Sequence, residues 1–355
     1  MIIFHLHYGL LVAGIETMLV NIANEQVNQG HTVKLLILNN AIDPLLANQI
    51  DKRIEIVNFG KKKGTKNPIP VIKLNLYLLT HKFDILHAHN PRFSNMILVP
   101  IPQNKKCSTL HCLCKGKLDS DYLKNFNHNF AISEAVRKDI LEKHQLESIT
   151  VYNGIHPEKF KHDGVKLNSD GFFHIVQVGR LNYPVKGQDI LIEAVGTLFQ
   201  GGLTNIKIDF IGDDQNNCEM YLRNLIQKYG LQENVSFLGV KSQQYIAEHL
   251  CEYDLYAQPS RMEGFGLTVA EAMAAKVATF VSSVPGPMDI INNGEYGYFF
   301  NTEKVESCAE VLKKIISDGV DANMVEQAYN RVYKLFDVKN TASEYLLHYE
   351  KIIKY

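Results

Sequence analysis

The residues from Pro259 to Met273 read Pro-Ser-Arg-Met-Glu-Gly-Phe-Gly-Leu-Thr-Val-Ala-Glu-Ala-Met, a stretch that sets two carboxylates around a glycine loop and a helix start. Gly264 and Gly266 bracket Phe265, so the backbone there can turn sharply and lie close to a ligand. Leu267 to Ala275 is rich in Ala, Leu, Glu and Met, which predicts a helix. Its first turn leaves backbone N–H groups free to meet an anion such as a phosphate. Glu263 stands just before the glycines and Glu271 eight residues on. Two readings of these carboxylates remain open. Either Glu263 caps the helix and Glu271 faces water, or each accepts hydrogen bonds from neighbouring hydroxyls, one set on a sugar and one on a ribose.

Other polar groups invite similar questions. Arg180 and Lys186 lie in Gly179-Arg180-Leu181-Asn182-Tyr183-Pro184-Val185-Lys186-Gly187, a loop that follows an apolar run. Two such cations could bracket a diphosphate, or could simply be surface charges. His87 and His89 fall two apart in an extended segment and point the same way, but no third metal ligand follows at a convincing spacing. Gly14 opens a helix where the backbone can approach an anion, and it reads equally as a plain turn glycine. Lys61-Lys62-Lys63-Gly64-Thr65-Lys66 forms a basic loop closed by Pro68 and Pro70.

The elements that must carry these groups alternate. In the first half, strands are expected at Ile2–Leu6, Val33–Leu38, Ile54–Val57, around Phe83–His89, at Cys107–Leu110, Phe130–Ser133 and Ile149–Gly154. Helices are expected at about residues 15–28 and 71–80. A polar stretch, 155–170, reads as a linker. The pattern then restarts, with strands at His174–Val178, Lys207–Ile211, Val235–Leu238, Leu255–Gln258 and Thr279–Ser282, and helices between them. Alternation of this kind means parallel sheets with right-handed crossovers. The fold class is therefore α/β, with two Rossmann-like parallel-sheet domains facing a cleft, the default place for a site. The opening unit lacks a G-x-G-x-x-G, which weakens a dinucleotide reading. A closing amphipathic helix is expected near residues 341–353, with Tyr345, Leu346, Tyr349 and Ile352 on one face.

Composition agrees with a two-domain soluble chain: 355 residues, 46 % hydrophobic and 21 % charged. The net charge of −1 conceals an asymmetry. Residues 1–165 hold 20 Lys and Arg against 14 Asp and Glu, and the remainder 17 against 24. A basic first half could meet anionic lipid or an anionic acceptor. The six cysteines, Cys107, Cys112, Cys114, Cys218, Cys251 and Cys308, match neither zinc nor redox spacing and suggest free thiols in a reducing cytosol. No signal peptide and no membrane-spanning run is expected.

With these pieces in order, the chain resembles the glycosyltransferases of the GT-B fold, family 4. The Glu-x7-Glu spacing of Glu263 and Glu271 carries the resemblance, together with Gly179-Arg180…Lys186-Gly187, Phe210-Ile211-Gly212-Asp213, Phe237-Leu238-Gly239-Val240, Asp84-Ile85-Leu86-His87-Ala88-His89, Ile132-Ser133-Glu134-Ala135 and Val151-Tyr152-Asn153-Gly154. It implies that Arg180 and Lys186 hold a donor diphosphate, that Glu271 binds the ribose and Glu263 the transferred sugar, and that Phe265, Gly266 and Leu267 approach both through their backbone. It further implies that Gly14 reaches the diphosphate from the first domain and that His89 lies near the reacting sugar. Ala13-Gly14 stands where the family has two glycines, and Met288 and Asp289 stand where related chains have Arg and Glu.

The implied activity is retaining transfer of a hexosyl or N-acetylhexosaminyl group from a nucleotide-sugar, with a UDP-sugar the expected donor. The acceptor is a saccharide or lipid-linked glycan of surface polysaccharide or lipopolysaccharide type. No cofactor and no metal is expected. Asp119-Ser120-Asp121 has the spacing used by metal-dependent sugar transferases, but no apolar strand precedes it and it reads as a solvated loop. No nucleic-acid partner is expected; the place is cytoplasmic, with peripheral contact to the inner membrane face. Domains are expected at 1–165 for the acceptor and 166–338 for the donor, with 339–355 a helix packing back on the first. Two other classes remain: a non-catalytic GT-B partner subunit, and a nucleotide-sugar epimerase on the same fold.

Overall fold

The computed structural model describes residues 1–11, 13–114, 121–162 and 170–354. Asp119 and Ser120, and residues 163–169 of the expected linker, lie outside these residues. The described chain forms two compact units, Met1–Ile155 with Leu335–Tyr355, and His156–Lys334. The first unit therefore ends ten residues before the expected boundary at 165, and the chain returns to it from Leu335 rather than from 339. Ile155 and Asp337 form a parallel bridge, which ties the returning segment to the end of the first sheet.

The first unit is built on a seven-stranded parallel sheet. In chain order its parts are β1 (Ile2–His7), α1 (Gly14–Asn28), β2 (Thr32–Asn39), α2 (Pro44–Ala47), β3 (Glu55–Lys61), α3 (Ile69–Thr80), β4 (Ile85–Ala88), β5 (Lys106–Leu110), β6 (His128–Ala131), α4 (Glu134–His144) and β7 (Ile149–Thr150). The order across the sheet is β3-β2-β1-β4-β5-β6-β7. Continuous apolar runs such as Leu35–Leu38 are buried, as parallel strands covered on both faces require. One face packs Met18, Leu19, Ile22 and Val27 of α1 with Tyr345, Leu346 and Tyr349 of the closing helix; the other packs Leu74 and Leu78 of α3 on Phe4, Leu36 and Phe59. Ser133 accepts from the Val136 N–H at 3.1 Å and so starts α4.

The second unit repeats the plan with a six-stranded sheet, β8 (Phe173–Val178), β9 (Ile206–Ile211), β10 (Val235–Gly239), β11 (Leu255–Gln258), β12 (Ala278–Ser282) and β13 (Tyr298–Phe300), ordered β10-β9-β8-β11-β12-β13. Its helices are α5 (Tyr183–Lys186), α6 (Gln188–Gln200), α7 (Cys218–Tyr229), α8 (Gln243–His249), α9 (Leu267–Ala274), α10 (Pro285–Ile290), α11 (Val305–Asp318) and α12 (Ala322–Leu335). The chain closes with α13 (Val338–Lys354), which packs against α1. Strand order reverses between β1 and β4 in the first sheet and between β8 and β11 in the second. Ligands of open α/β sheets bind at the carboxyl ends of strands at such points.

Candidate active site

Both loops singled out in the second half leave the strands at this reversal. Gly179 and Arg180 follow β8, and Pro259 to Glu263 follow β11, its direct neighbour. Gly187 brings the two loops together. Its φ is +67°, and a Cβ there would stand 1.9 Å from the Pro259 carbonyl oxygen. Arg261 fixes the approach. Its guanidinium meets both carboxylate oxygens of Asp189 at 2.8 Å and the Tyr183 carbonyl at 2.7 Å, while its own N–H donates to the Val185 carbonyl at 2.8 Å. The single turn of α5 is thus clamped to the glutamate loop.

The clamp delivers Lys186 Nζ to Glu263 Oε2 at 2.7 Å. The carboxylate is further held by Gln258 Nε2 at 3.2 Å and by the Gly264 N–H at 3.2 Å. Gln258 is itself oriented: its amide oxygen accepts from Tyr256 at 2.9 Å and from Thr268 at 3.1 Å. Arg180 is exposed, and its carbonyl accepts from Gln188. Gly266, at φ +110°, caps α9 without a side chain: the Val269 N–H donates to its carbonyl at 2.9 Å, and the Leu267 and Thr268 N–H groups before it meet no capping side chain. Phe265 is buried beneath them, and Leu267 is half-buried. Gly286 packs against the loop backbone: a Cβ there would lie 2.7 Å from the Glu263 carbonyl oxygen and the Phe265 backbone nitrogen. Glu271 points from within α9. It is half-buried by exposed surface, yet burial of the carboxyl pushes its pKa up to about 7.

Of the residues predicted from sequence, Lys186, Glu263, Phe265, Gly266 and Leu267 come together, with Arg180 on the adjoining loop and Glu271 one turn along the helix. The sequence reading missed Gln258, Tyr256, Arg261 and Asp189. Arg261 lies inside the key stretch; Asp189 carries no signal of its own, because only the fold shows the two loops to be neighbours.

In the first unit, Gly14 begins α1, exposed, after an extended Ala13. His89 follows β4 and is buried, with neither ring nitrogen facing outward. His5 lies opposite His87 on the paired strand, and the ring nitrogens of His5, His87 and His89 fall within 4.8 Å of one another, so a third imidazole does join the two expected. Every one of those nitrogens is already engaged. Gln26 Oε1 meets His5 Nε2 at 2.7 Å, His5 Nδ1 meets His89 Nε2 at 2.9 Å, and His89 Nδ1 meets His111 Nε2 at 3.1 Å. His87 bonds Tyr349 and Thr109. With Gln26 as acceptor, the chain places the proton of His5, His89 and His111 on Nε2. Burial holds all four rings neutral, His5 down to about 4 and His111 to about 3, with His87 and His89 also well below the usual range. The group is a buried hydrogen-bond chain. A sugar hydroxyl reaches His89 only by displacing His5 or His111.

Two parallel sheets, each with its reversal point, are the layout of the GT-B fold, and in the second unit a cation–carboxylate pair stands over a helix start at that point. Comparison with known proteins agrees. Residues 12–159 match the model described as Glycosyltransferase Family 4, and residues 158–331 the model described as Glycosyl transferases group 1. The chain belongs to the family 4 glycosyltransferases. It is 26 % identical over 268 residues to the N-acetyl-alpha-D-glucosaminyl L-malate synthase of Bacillus anthracis, covering 70 % of this chain and 68 % of that one. It is 21 % identical over 364 residues to the GDP-mannose:cellobiosyl-diphosphopolyprenol alpha-mannosyltransferase of Xanthomonas campestris, covering 95 % and 93 %. In fold it matches Anabaena HepE, solved in complex with UDP, with a TM-score of 0.81 and 19 % identity over 99 % of this chain and all of that one.

Proposed function

We propose that this chain is a retaining glycosyltransferase that moves a hexosyl or N-acetylhexosaminyl group from a UDP-sugar to a saccharide or glycolipid acceptor of a surface glycan. The observation that carries the reading is the Lys186–Glu263 pair, clamped over the bare start of α9 at the sheet's reversal point. On donor binding, Lys186 turns from Glu263 to the diphosphate, joined by Arg180 and the first N–H groups of α9. Glu263 is then released to accept sugar hydroxyls, and Glu271 accepts those of the ribose. As the sugar–oxygen bond breaks, negative charge grows on the leaving diphosphate, and the fixed cations and helix start stabilise it. These positive groups belong to the chain itself, so catalysis proceeds without a metal and a chelator leaves it unchanged. Donor lies in the His156–Lys334 unit and acceptor in the other, whose Lys61–Lys66 stretch meets the anionic inner face of the membrane.

Support for UDP comes from the fold neighbour solved with UDP, and the relative named for GDP-mannose makes the base a point to test. A panel of UDP-, GDP- and ADP-sugars is incubated with and without glycan acceptors, and released nucleotide and product are measured. Acceptor-dependent release of UDP is expected. Turnover with GDP-mannose alone overturns the choice of base; an altered nucleotide-sugar without transfer indicates an epimerase, and no turnover with any donor indicates a binding subunit.

A further inference from the structure

Helix α3 buries one side and leaves the other without a partner. Leu74 and Leu78 enter the core, while Ile69, Ile72, Leu76 and Leu79 are each 50–63 % exposed. Their spacing of three, four and three residues lines them along one face of the helix. Leu98, 69 % exposed, extends the surface: its N–H donates at 2.7 Å to Asn75, which ties that segment to α3. Apolar side chains gathered in this way mark an interaction surface rather than the scattered exposure of ordinary monomers.

The charges around this face say what covers it. From Ile56 to Phe83 the chain carries six lysines, Lys61, Lys62, Lys63, Lys66, Lys73 and Lys82, and no Asp or Glu. The flanking acids are occupied: Glu55 meets Lys34 at 2.6 Å, and Asp84 accepts from the Ile2 N–H at 2.7 Å. A second copy of the chain docked here would set lysine against lysine. The helix has 12 residues, about 18 Å of length, too short to cross a hydrocarbon core of about 30 Å. Among the described residues no helix is long and apolar enough to cross a membrane.

We propose that α3 is a peripheral membrane anchor. It lies flat on an anionic phospholipid bilayer, with Ile69, Ile72, Leu76 and Leu79 entering the boundary between headgroups and acyl chains and the lysines on the phosphates. This deepens the membrane contact proposed above: that reading used the basic loop, and the helix supplies the part that enters the lipid. The contact needs neither donor nor acceptor, so its failure leaves the transfer reaction standing, and the reverse.

The full chain is floated with vesicles of phosphatidylcholine alone and of phosphatidylcholine with phosphatidylglycerol, at low and high salt. Wild type should float with the anionic vesicles at low salt and not with neutral ones. Leu76→Ser with Leu79→Ser should lower the partition at least about tenfold at either salt. Replacing Lys61, Lys62, Lys63 and Lys66 by Gln should cost about fivefold per lysine at low salt and little at high salt. These side chains are exposed except Lys61, which is half-buried and donates to the Thr65 carbonyl, so melting curves should stay close to wild type; Ile72→Ser is the substitute if the double variant does not fold. The proposal is overturned if wild type does not float, if the serine variant floats as well as wild type, or if sedimentation shows a dimer that the serine variant breaks.

Discussion

Glu271, proposed above to hold the ribose, works against stability. Its carboxyl is raised by burial to about 7, against an ordinary value of 4.5. The folded protein therefore holds this proton more tightly than the unfolded chain, and the stability gained below pH 4.5 is lost as pH rises toward 7. Glu271→Gln keeps the shape and removes that loss. Its unfolding free energy should exceed wild type by about 2 kcal/mol above pH 7, with the difference gone near pH 4.5. The same change should weaken UDP binding about tenfold, since the ribose hydroxyls lose a charged acceptor. Denaturant melts at a series of pH values with parallel calorimetry test both; a variant no more stable than wild type at pH 8 would contradict the burial account. The two glutamates stood out in the sequence by their places around the glycine loop, with capping and hydroxyl binding both left open; their separate roles came from the family resemblance. That Glu263 is held by Lys186, Gln258 and the Gly264 N–H was not, because these contacts join residues up to 77 positions apart.

At the scale of elements, the strand–loop–helix unit around Glu263 depends on its neighbour α5. Arg261→Ala leaves Asp189 largely buried and unpaired, and should cost about 3 kcal/mol of stability. Arg261→Lys keeps the charge but cannot reproduce the two-pronged contact with Asp189 or hold the Tyr183 carbonyl in the same geometry. It should recover most of the stability while turnover stays about tenfold low, because Lys186 is no longer fixed. Full turnover in Arg261→Lys would reduce the clamp to a purely structural contact. The strands that alternate with helices were readable because their apolar runs are continuous and short. The run Tyr298–Phe300 and the helices Val305–Asp318 and Ala322–Leu335 were not assigned: the strand has three residues, and Val305–Asp318 starts at Lys304 with no side-chain cap to mark it. His5 of β1 stands opposite His87 of β4, a long-range pairing that the sequence reading did not identify.

The two units should answer acid in opposite ways. In the first, His5, His87, His89 and His111 are neutral by burial, with folded pKa values well below the unfolded value near 6.5. The stability they allow is present above pH 6.5 and is lost as pH falls toward 4. In the second, Glu271 gains stability over the same fall. Amide protection factors at pH 7 and pH 5 should therefore drop in Met1–Ile155 with Leu335–Tyr355 and hold or rise around α9. Equal losses in both units would contradict this. The return of the chain from Leu335 to its first unit was legible in the amphipathic tail; where the crossing falls was not, because residues near 155 and 335 differ little in composition from their surroundings.

The central claim is that the chain's own cations stabilise the departing diphosphate, and the most direct test separates binding from turnover in Arg180→Ala and Lys186→Ala. Calorimetric UDP affinity and turnover at saturating donor are measured for both variants and wild type. Charge on the leaving oxygen grows only as the bond breaks, so turnover should fall by ~10²–10³ in each variant, with a smaller loss of UDP affinity. Variants that lose UDP affinity yet keep full turnover at saturating donor would contradict the account.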